Sequence, residues 1–329
     1  MSNTNNIRAA LQSTNLIIAV GSVDGILTAA AFLRLIGNDE AEVCFTQAFT
    51  VDKIEMSDWG PARKVALVDL AVNNRDPAMT VGFVNRLREA GHTLVAVIDE
   101  HSREDWLVCL GNFEGLVIEP QSQNAGDDAP KSAGEVLKRA LAESGTEVDD
   151  HLLGLMADAD AADRMNFNGS FASLVNQAVK SRIQDDSRRV YLARHFAQNR
   201  NADETISGWI SEYEAILANH DNIVENRKDL GEGIHRVSAV GITVDMTSLM
   251  GRLYGEGARV VVLEGEVFVP AKKCKEVLVA FGTADKNLDL MATVRAAGVN
   301  PLGGFAQKVN VALEDEEAAT AAIRAALQG

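Results

Sequence analysis

The chain has 329 residues, of which 47% are hydrophobic and 24% charged, and its formal net charge is -16 at pH 7. This length is sufficient for two domains. The negative charge argues against a protein that coats DNA or membranes, because its long-range field repels phosphate. The three cysteines form no Cys-x-x-Cys pair, which argues against a zinc site and against a disulfide framework.

The amino-terminal stretch MSNTNNIRAALQS lacks the apolar core of a signal peptide. No apolar run in the sequence approaches the ~20 residues that a bilayer-spanning helix needs. We therefore expect a cytoplasmic protein with no membrane partner.

The first half of the chain alternates short apolar runs with helix-like segments. Five of the runs have the composition of buried strands, namely 15–20, 42–49, 64–69, 93–99 and 115–120. Helix-like segments at 25–37 and 78–91 lie between them. Strand–helix alternation with short connections predicts an α/β fold with a doubly wound parallel sheet.

The second half begins with a helical pattern and returns to strands near its end. Helical segments extend from 132 to about 230, and Gly231-Glu232-Gly233 has the composition of a hinge. Strand-like runs resume after it, which predicts a second, smaller α/β domain. We therefore divide the chain into a first domain at 1–190, a helical linker at 191–235 and a second domain at 236–329.

Acidic side chains follow three of the predicted strands, at the point where each strand ends. NLIIAVGSVDG ends near Asp24, KVALVDL ends at Asp69, and TLVAVIDEH ends at Asp99, Glu100 and His101. The carboxyl ends of parallel strands form the ligand crevice of an open sheet. Carboxylates that converge there repel one another unless a cation lies between them. The pattern favours a hard divalent cation such as Mn²⁺ or Mg²⁺.

A fourth acid is expected from LLGLMADADAADR, where Asp158 and Asp160 follow another apolar run. Each acid taken alone has a simpler interpretation, because an Asp after a strand is often the N-cap of the next helix. Asp24-Gly25 is also a common turn pair. Helix capping does not explain why several strand ends share an acid or why a histidine is adjacent, so the complete set favours a metal site.

These motifs resemble those of the DHH/DHHA1 phosphoesterase superfamily, which includes RecJ-type exonucleases, oligoribonucleases, exopolyphosphatases and family II inorganic pyrophosphatases. Five segments follow the family's order, namely SVDGILTAAAF (22–32), VALVDL (65–70), VIDEHS (97–102), PKSAGEVLKRAL (130–141) and GLMADADAADRMNF (154–167). Residues 277–307 are similar to the substrate-binding DHHA1 module. The resemblance implies hydrolysis by a water held between two metal ions about 3.5–4 Å apart.

The sequence departs from the family at one of the two metals. The family motif His-x-x-x-Asp-x-Asp places Ile18 and Ser22 where the first metal has two of its ligands. For the second metal, the resemblance places the ligands at Asp24, Asp69, Glu100 and Asp158. Glu100 there replaces a family histidine and is itself a competent oxygen ligand. We therefore expect one ion, Mn²⁺ or Mg²⁺, rather than two.

The remaining candidate residues are also assigned by resemblance. Asp99 and His101 match the family motif, which implies that His101 contacts phosphate or donates a proton. The alternative is a histidine that only satisfies hydrogen bonds beside a strand end. Phe305 replaces a family histidine, and Arg295 is a further source of positive charge. Substrate contacts are expected at Ser22, Gly303, Gly304 and Lys308.

The resemblance thus implies a metal-dependent phosphoesterase-like protein that acts on a phosphodiester or phosphoanhydride. The candidate substrates are a short oligonucleotide, a nucleoside bisphosphate, a cyclic dinucleotide and polyphosphate, and binding to long duplexes is not expected. The alternative is a catalytically inactive relative that serves as a nucleotide-binding or scaffold module. Retention of Asp69 and Asp158 favours a working site, whereas the changes at Ile18, Ser22 and Phe305 favour loss of catalysis. The sequence is compatible with a homo-oligomer. The G-x-G-x-x-G and P-loop patterns are absent, which argues against a dehydrogenase and an ATPase.

Overall fold

The computed structural model describes residues 13–60, 62–111, 131–269 and 274–328. The chain divides into two compact units, Met1–Ile210 and Ser211–Gly329. The strand predicted at 115–120 lies outside the described residues. The domain boundaries predicted from the sequence, with a separate linker at 191–235, remain a prediction.

The first unit is built on a parallel sheet whose strands are β1 (Leu16–Val20), β2 (Glu42–Thr46), β3 (Lys64–Val68) and β4 (Thr93–Ile98). Their spatial order is β2-β1-β3-β4, and every neighbouring pair is parallel. β1, β3 and β4 are mostly apolar because both of their faces are covered, whereas the edge strand β2 alternates buried and half-buried residues. In β1, Ile17 and Ala19 belong to one core, whereas Leu16 and Ile18 belong to the other.

The helices of the first unit in chain order are α1 (Val23–Ile36), α2 (Pro77–Glu89), α3 (Arg103–Leu110), α4 (Ala133–Glu143), α5 (Asp150–Asp163), α6 (Ser170–Lys180) and α7 (Asp186–Gln198). α1 is buried along most of its length, and its small residues let α5 and α7 pack closely against it. α2 and α3 contribute Phe83 and Trp106 to the core on the other face. Helices on both faces confirm the predicted doubly wound α/β sheet.

A further helix, α8 (Glu204–Glu225), contains the division between the two units. The second unit has a sheet with strands β5 (Lys228–Asp229), β6 (Ile234–Ser238), β7 (Val260–Val269), β8 (Cys274–Thr283), β9 (Gly303–Phe305) and β10 (Lys308–Ala312). Its order is β5-β6-β7-β8-β10-β9, and among these pairs β6–β7 is parallel and the others are antiparallel. The accompanying helices are α9 (Met246–Gly255), α10 (Leu290–Ala296) and α11 (Glu316–Gln328). This arrangement confirms the second, smaller α/β domain.

Two further features are the turn at residues 231–233 and the character of the helices. Gly231-Glu232-Gly233, which has the composition of a hinge, forms the turn between β5 and β6, and all three residues have positive φ. Among the helices that the structure describes, none combines the length and the apolar character needed to cross a membrane.

Candidate functional site

Three buried aspartates lie where strands of the first sheet end. Asp24, Asp69 and Asp99 are 8%, 5% and 0% exposed. Asp69 directly follows β3 with a φ of 56°, in the left-handed region that Asp tolerates better than most residues. Asp24 lies in the first turn of α1, and Asp99 follows β4. The structure therefore places these acids at one edge of the sheet.

A glycine and a serine bring the start of α1 against Asp69. A Cβ on Gly25 would lie 2.2 Å from the Val20 carbonyl oxygen and 2.8 Å from Asp69 Oδ2, so only glycine fits this position. Ser22 is the N-cap of α1, and its Oγ accepts a hydrogen bond from the Gly25 N–H at 3.2 Å. The same hydroxyl donates to Asp69 Oδ2 at 3.1 Å. Ser22 therefore lies within the cluster of acids.

The cluster concentrates negative charge in a buried place. Burial raises the pKa of Asp69 well above its ordinary value, and the charges of Asp24, Glu100 and Asp99 raise it further. Burial, followed by the charge of Asp99, raises the pKa of Glu100 to about 8. Glu100 Oε2 is buried and has no hydrogen-bond partner among the described residues. Because buried carboxylates without partners are costly, this donor set fits a bound cation.

His101 is held in a defined orientation beside the acids. Its Nδ1 makes a 2.8 Å hydrogen bond with Asp99 Oδ1, and the indole Nε1–H of Trp106 donates to Asp99 Oδ2 at 2.6 Å. The bond to Asp99 raises the pKa of His101 to about 9, and the charges of Glu100 and Asp163 act in the same direction. The ring is half exposed and lines a cavity of about 410 Å³. Its surroundings therefore favour the protonated form of His101, and the ring is open to a ligand.

Asp99, Glu100 and His101 place potential ligand atoms within 4.8 Å of one another. The two carboxylates of this group differ, however, in whether their oxygens already have hydrogen-bond partners. Both carboxylate oxygens of Asp99 are already bound, one by His101 and one by Trp106. Of the three, Glu100 has a carboxylate oxygen without a hydrogen-bond partner in the described part of the chain. A cation at this place would therefore be bound through Glu100 and the neighbouring aspartates, rather than through Asp99.

Asp158 lies within α5, and its side chain caps the start of the next helix. Its Oδ2 accepts hydrogen bonds from the backbone N–H groups of Phe171 (2.6 Å) and Ala172 (3.0 Å), in the first turn of α6. Asp160, the other acid singled out in this segment, accepts from Ser132 Oγ at 3.1 Å and pairs with Arg164. These carboxylates thus have local partners, and no hydrogen bond among the described residues connects either one to Asp69.

Asp163, the last residue of α5, is the residue that the sequence analysis missed. Its side chain is exposed, and its pKa is raised by desolvation and by the charge of Asp24, while the charge of His101 lowers it. Its own charge raises the pKa values of Glu100 and His101. A sequence signal for it exists, because an acid in the last turn of a helix is disfavoured by the helix dipole. Its presence there suggests a role beyond stability.

The other predicted substrate contacts lie in the second unit, on the β9–β10 hairpin. Gly304 pairs with Val309, and Lys308 pairs with Phe305. Gly304 has a φ of 130°, and a Cβ on it would lie 2.1 Å from the Lys308 carbonyl oxygen, so the tight hairpin requires glycine. Gly303 precedes it in β9, and Phe305 is 60% exposed. The hairpin thus brings Gly303, Gly304 and Lys308 together, and their contact with substrate remains a prediction.

No protein-family model and no curated protein sequence matches the chain significantly. Solved structures of DHH-domain proteins do match it. The pGpG-specific phosphodiesterase PggH from Vibrio cholerae aligns with 96% of this chain and 99% of its own, at a TM-score of 0.59 and 12% identity. RecJ from Thermus thermophilus, solved in complex with Mn²⁺, aligns with the whole chain (100%) at a TM-score of 0.53 and 13% identity, and 55% of RecJ is covered.

The DHH domain of a member of the s1p family of ribosomal proteins aligns with 98% of this chain and 88% of its own, at a TM-score of 0.51 and 14% identity. The alignments extend over both units, as did the resemblance found in the sequence. The chain therefore has the fold of the DHH-domain proteins.

Proposed function

We propose that this protein is a metal-dependent phosphoesterase that hydrolyses a phosphodiester or phosphoanhydride in a nucleotide or short oligonucleotide. One observation supports this most strongly. Asp24, Asp69, Glu100 and Asp163 act on one another electrostatically at the carboxyl edge of the sheet, beside a histidine whose pKa is raised. An anionic substrate approaches such a cluster only if a cation compensates the charge.

The cation in this proposal is Mn²⁺ or Mg²⁺, held by the oxygens of Asp24, Asp69, Glu100 and Asp163. The buried, unpartnered Glu100 Oε2 and the raised pKa values of Asp69 and Glu100 support this ligand set. When bound, such an ion stabilises charge on phosphate oxygens and lowers the pKa of a water molecule. One ion is proposed rather than two, because Ile18 is fully buried in the core and the Ser22 hydroxyl is engaged as a helix cap.

The chain's own residues supply the remaining chemistry. Asp99, bound by Trp106, fixes the ring of His101 and favours its charged form. With Nδ1 bound to Asp99, Nε2 is the nitrogen that donates to a phosphate oxygen or delivers a proton to the leaving group. In this proposal Asp99 is a positioning residue and His101 a catalytic one.

The substrate class is inferred from both the site and the structural neighbours. PggH is described as a pGpG-specific phosphodiesterase, which supports a dinucleotide-sized substrate here. The substrate contacts expected from the sequence at Ser22, Gly303, Gly304 and Lys308 remain proposals. A cytoplasmic location and a homo-oligomeric state remain predictions from the sequence.

The test is a hydrolysis panel with Mn²⁺ or Mg²⁺, containing oligonucleotides of two to seven residues, a nucleoside 3′,5′-bisphosphate, a cyclic dinucleotide and polyphosphate. Asp69→Asn should abolish cleavage, because its carboxylate is central to the cluster. Asp76→Asn is the matched control, since Asp76 is exposed and its side chain makes no capping hydrogen bond at α2. Cleavage that is lost in Asp69→Asn and retained in Asp76→Asn supports the proposal. Binding of a panel member without turnover would favour the inactive binding-module alternative.

A further inference from the structure

Two cavities lie at the carboxyl edge of the first sheet, and Phe49 lines both. One has a volume of about 530 Å³ and is also lined by Gly21, which follows β1, and by Lys53. The other, of about 410 Å³, is lined by Arg75 in the connection after β3 and by His101 after β4. Both volumes lie within the range of small-molecule sites. The loops that follow all four strands thus line these two cavities, which share Phe49 and are called here the two halves of one crevice.

Phe49 is 66% exposed, although the turn that presents it is well anchored. The Thr50 N–H donates to the Gln47 carbonyl at 2.9 Å, and the Gln47 N–H donates to Thr50 Oγ1 at 3.2 Å. The next turn is fixed from α2, where Arg86 donates to the carbonyls of Val51 (2.9 Å) and Asp52 (2.8 Å). An exposed aromatic ring on an ordered turn is a preorganised binding surface, because ligand binding costs little further conformational entropy in the turn.

The segment that presents Arg75 is ordered in a similar way. Asn73 Oδ1 accepts hydrogen bonds from the backbone N–H groups of Arg75 (3.1 Å) and Asp76 (3.2 Å). The Asn73 N–H in turn donates to Thr80 Oγ1 at 3.0 Å, at the start of α2. Arg75 and Lys53 are both exposed, and they line opposite halves of the crevice. His101 also lines the half that contains Arg75, and Arg189 also lines the half that contains Lys53, so each half combines Phe49 with basic side chains.

We propose that Phe49 stacks on a nucleobase and that Arg75 binds a phosphate next to it, so that the two halves of the crevice take the two nucleosides of a dinucleotide. This inference rests on the proposed phosphoesterase function and narrows its substrate to the nucleotide class. An aromatic ring adds nothing to the binding of inorganic polyphosphate, whereas every nucleobase has a π-face that stacks on it. Arg provides the planar, multiple donors that phosphate oxygens accept.

The test measures binding rather than turnover, with the full chain and Mn²⁺ present. The probes are a phosphorothioate-linked dinucleotide and an abasic analogue with the same phosphates. Wild type should bind the dinucleotide more tightly than the abasic analogue. Phe49→Leu should remove most of that preference, weakening dinucleotide binding roughly 5- to 140-fold, which corresponds to about 1–3 kcal/mol. Val108→Ala, at a position 75% exposed on α3, is the control and should bind as wild type does.

Two further variants separate the base contact from the phosphate contact. Phe49→Trp should retain the preference, and its added fluorescence should be quenched by the dinucleotide and not by the abasic analogue. Arg75→Gln should weaken both probes equally, roughly tenfold. Lys64→Gln, at the exposed opposite end of β3, should weaken neither.

Equal binding of both probes by wild type, or an unchanged preference in Phe49→Leu, would overturn the inference. If Phe49→Leu also hydrolyses the dinucleotide of the panel as wild type does, the proposed function stands without this inference. Base-dependent binding that is lost in Phe49→Leu, in a protein that cleaves nothing, would support this inference while refuting catalysis.

Discussion

Replacing Glu100 by Gln should stabilise the metal-free protein at alkaline pH, because Glu100 is nearly buried and its charged form is costly there. Its side chain is 10% exposed, and its pKa is about 8 in the folded protein against an ordinary value of 4.5. The folded state therefore binds more protons than the unfolded state between these pH values. As a result, the stability that Glu100 contributes falls as pH rises through this window and stays low above pH 8.

The size of the effect follows from the two pKa values. At about 1.4 kcal/mol for each pKa unit, the cost of ionising Glu100 in the folded protein is up to about 5 kcal/mol above pH 8. Glutamine resembles the protonated acid and avoids this cost. The variant should match wild type near pH 4.5 and exceed it above pH 8, with a difference in Tm on the order of 10 °C. His101 adds to the wild-type decline, since its raised pKa gives stability that is complete below pH 6.5 and lost through about pH 9.

The assay is thermal unfolding followed by circular dichroism from pH 4.5 to 9.5, first with EDTA and then with Mn²⁺. Glu89→Gln is the matched control, because Glu89 is exposed at the end of α2. Mn²⁺ should raise the Tm of wild type at pH 8 and raise that of Glu100→Gln much less, because the metal uses the ionised carboxylate. A Glu100→Gln variant that is less stable than wild type at every pH, or that gains equally from Mn²⁺, would refute the reasoning.

Three further experiments, with five substitutions among them, test separate parts of the site and its support. Asp163→Asn should lose the stabilisation by Mn²⁺. Asp158→Asn should keep that stabilisation and lose about 1 kcal/mol of folding stability, as expected for a weakened helix cap. A calorimetric Mn²⁺ titration of both variants measures this, and loss of Mn²⁺ binding in Asp158→Asn alone would return Asp158 to the ligand set. Gly25→Ala should destabilise the protein by several kcal/mol, since its Cβ would lie 2.2 Å from a carbonyl oxygen. Gly82→Ala in α2, where a Cβ would have no atom within 4 Å, should stabilise the protein by up to about 1 kcal/mol. Urea unfolding measures both free energies, and similar values for the two variants would contradict this account. Trp106→Phe removes a donor to Asp99, so the pKa of His101 measured by NMR should rise further and kcat should fall more than KM changes. An unchanged His101 titration would exclude the proposed role of Trp106 and Asp99 in positioning His101.

Much of the fold and part of the site follow from the sequence for one physical reason. Strands buried on both faces are apolar throughout, so β1 to β4 are visible as short runs, and parallel strands direct their carboxyl ends to one edge. Asp24, Asp69 and Glu100 were therefore predicted to lie together, with Asp158 as a fourth acid, and in the structure the charges of Asp24 and Glu100 act on Asp69. That prediction requires β1, β3 and β4 to be neighbours, which the observed order β2-β1-β3-β4 confirms.

The remaining features depend on helix rotation and on contacts distant in sequence. Within the α5 segment, the sequence alone does not show whether Asp158 or Asp163 faces the sheet edge, because that depends on how α5 packs against α1. The hydroxyl of Ser22 both caps α1 and donates to Asp69, a pair separated by 47 residues. The bond between Trp106 and Asp99 likewise requires α3 to fold back on the end of β4. Such features are set by packing, which local patterns do not specify.

The most direct test of the central claim is the position of a bound ion. Crystals of the full chain grown with MnCl₂ should show an anomalous difference peak between the carboxylates of Asp24, Asp69, Glu100 and Asp163, with Asp99 still bound to His101 and Trp106. A peak at Asp158, a peak that uses Asp99 as a ligand, or no peak at this edge of the sheet at saturating Mn²⁺ would contradict the account.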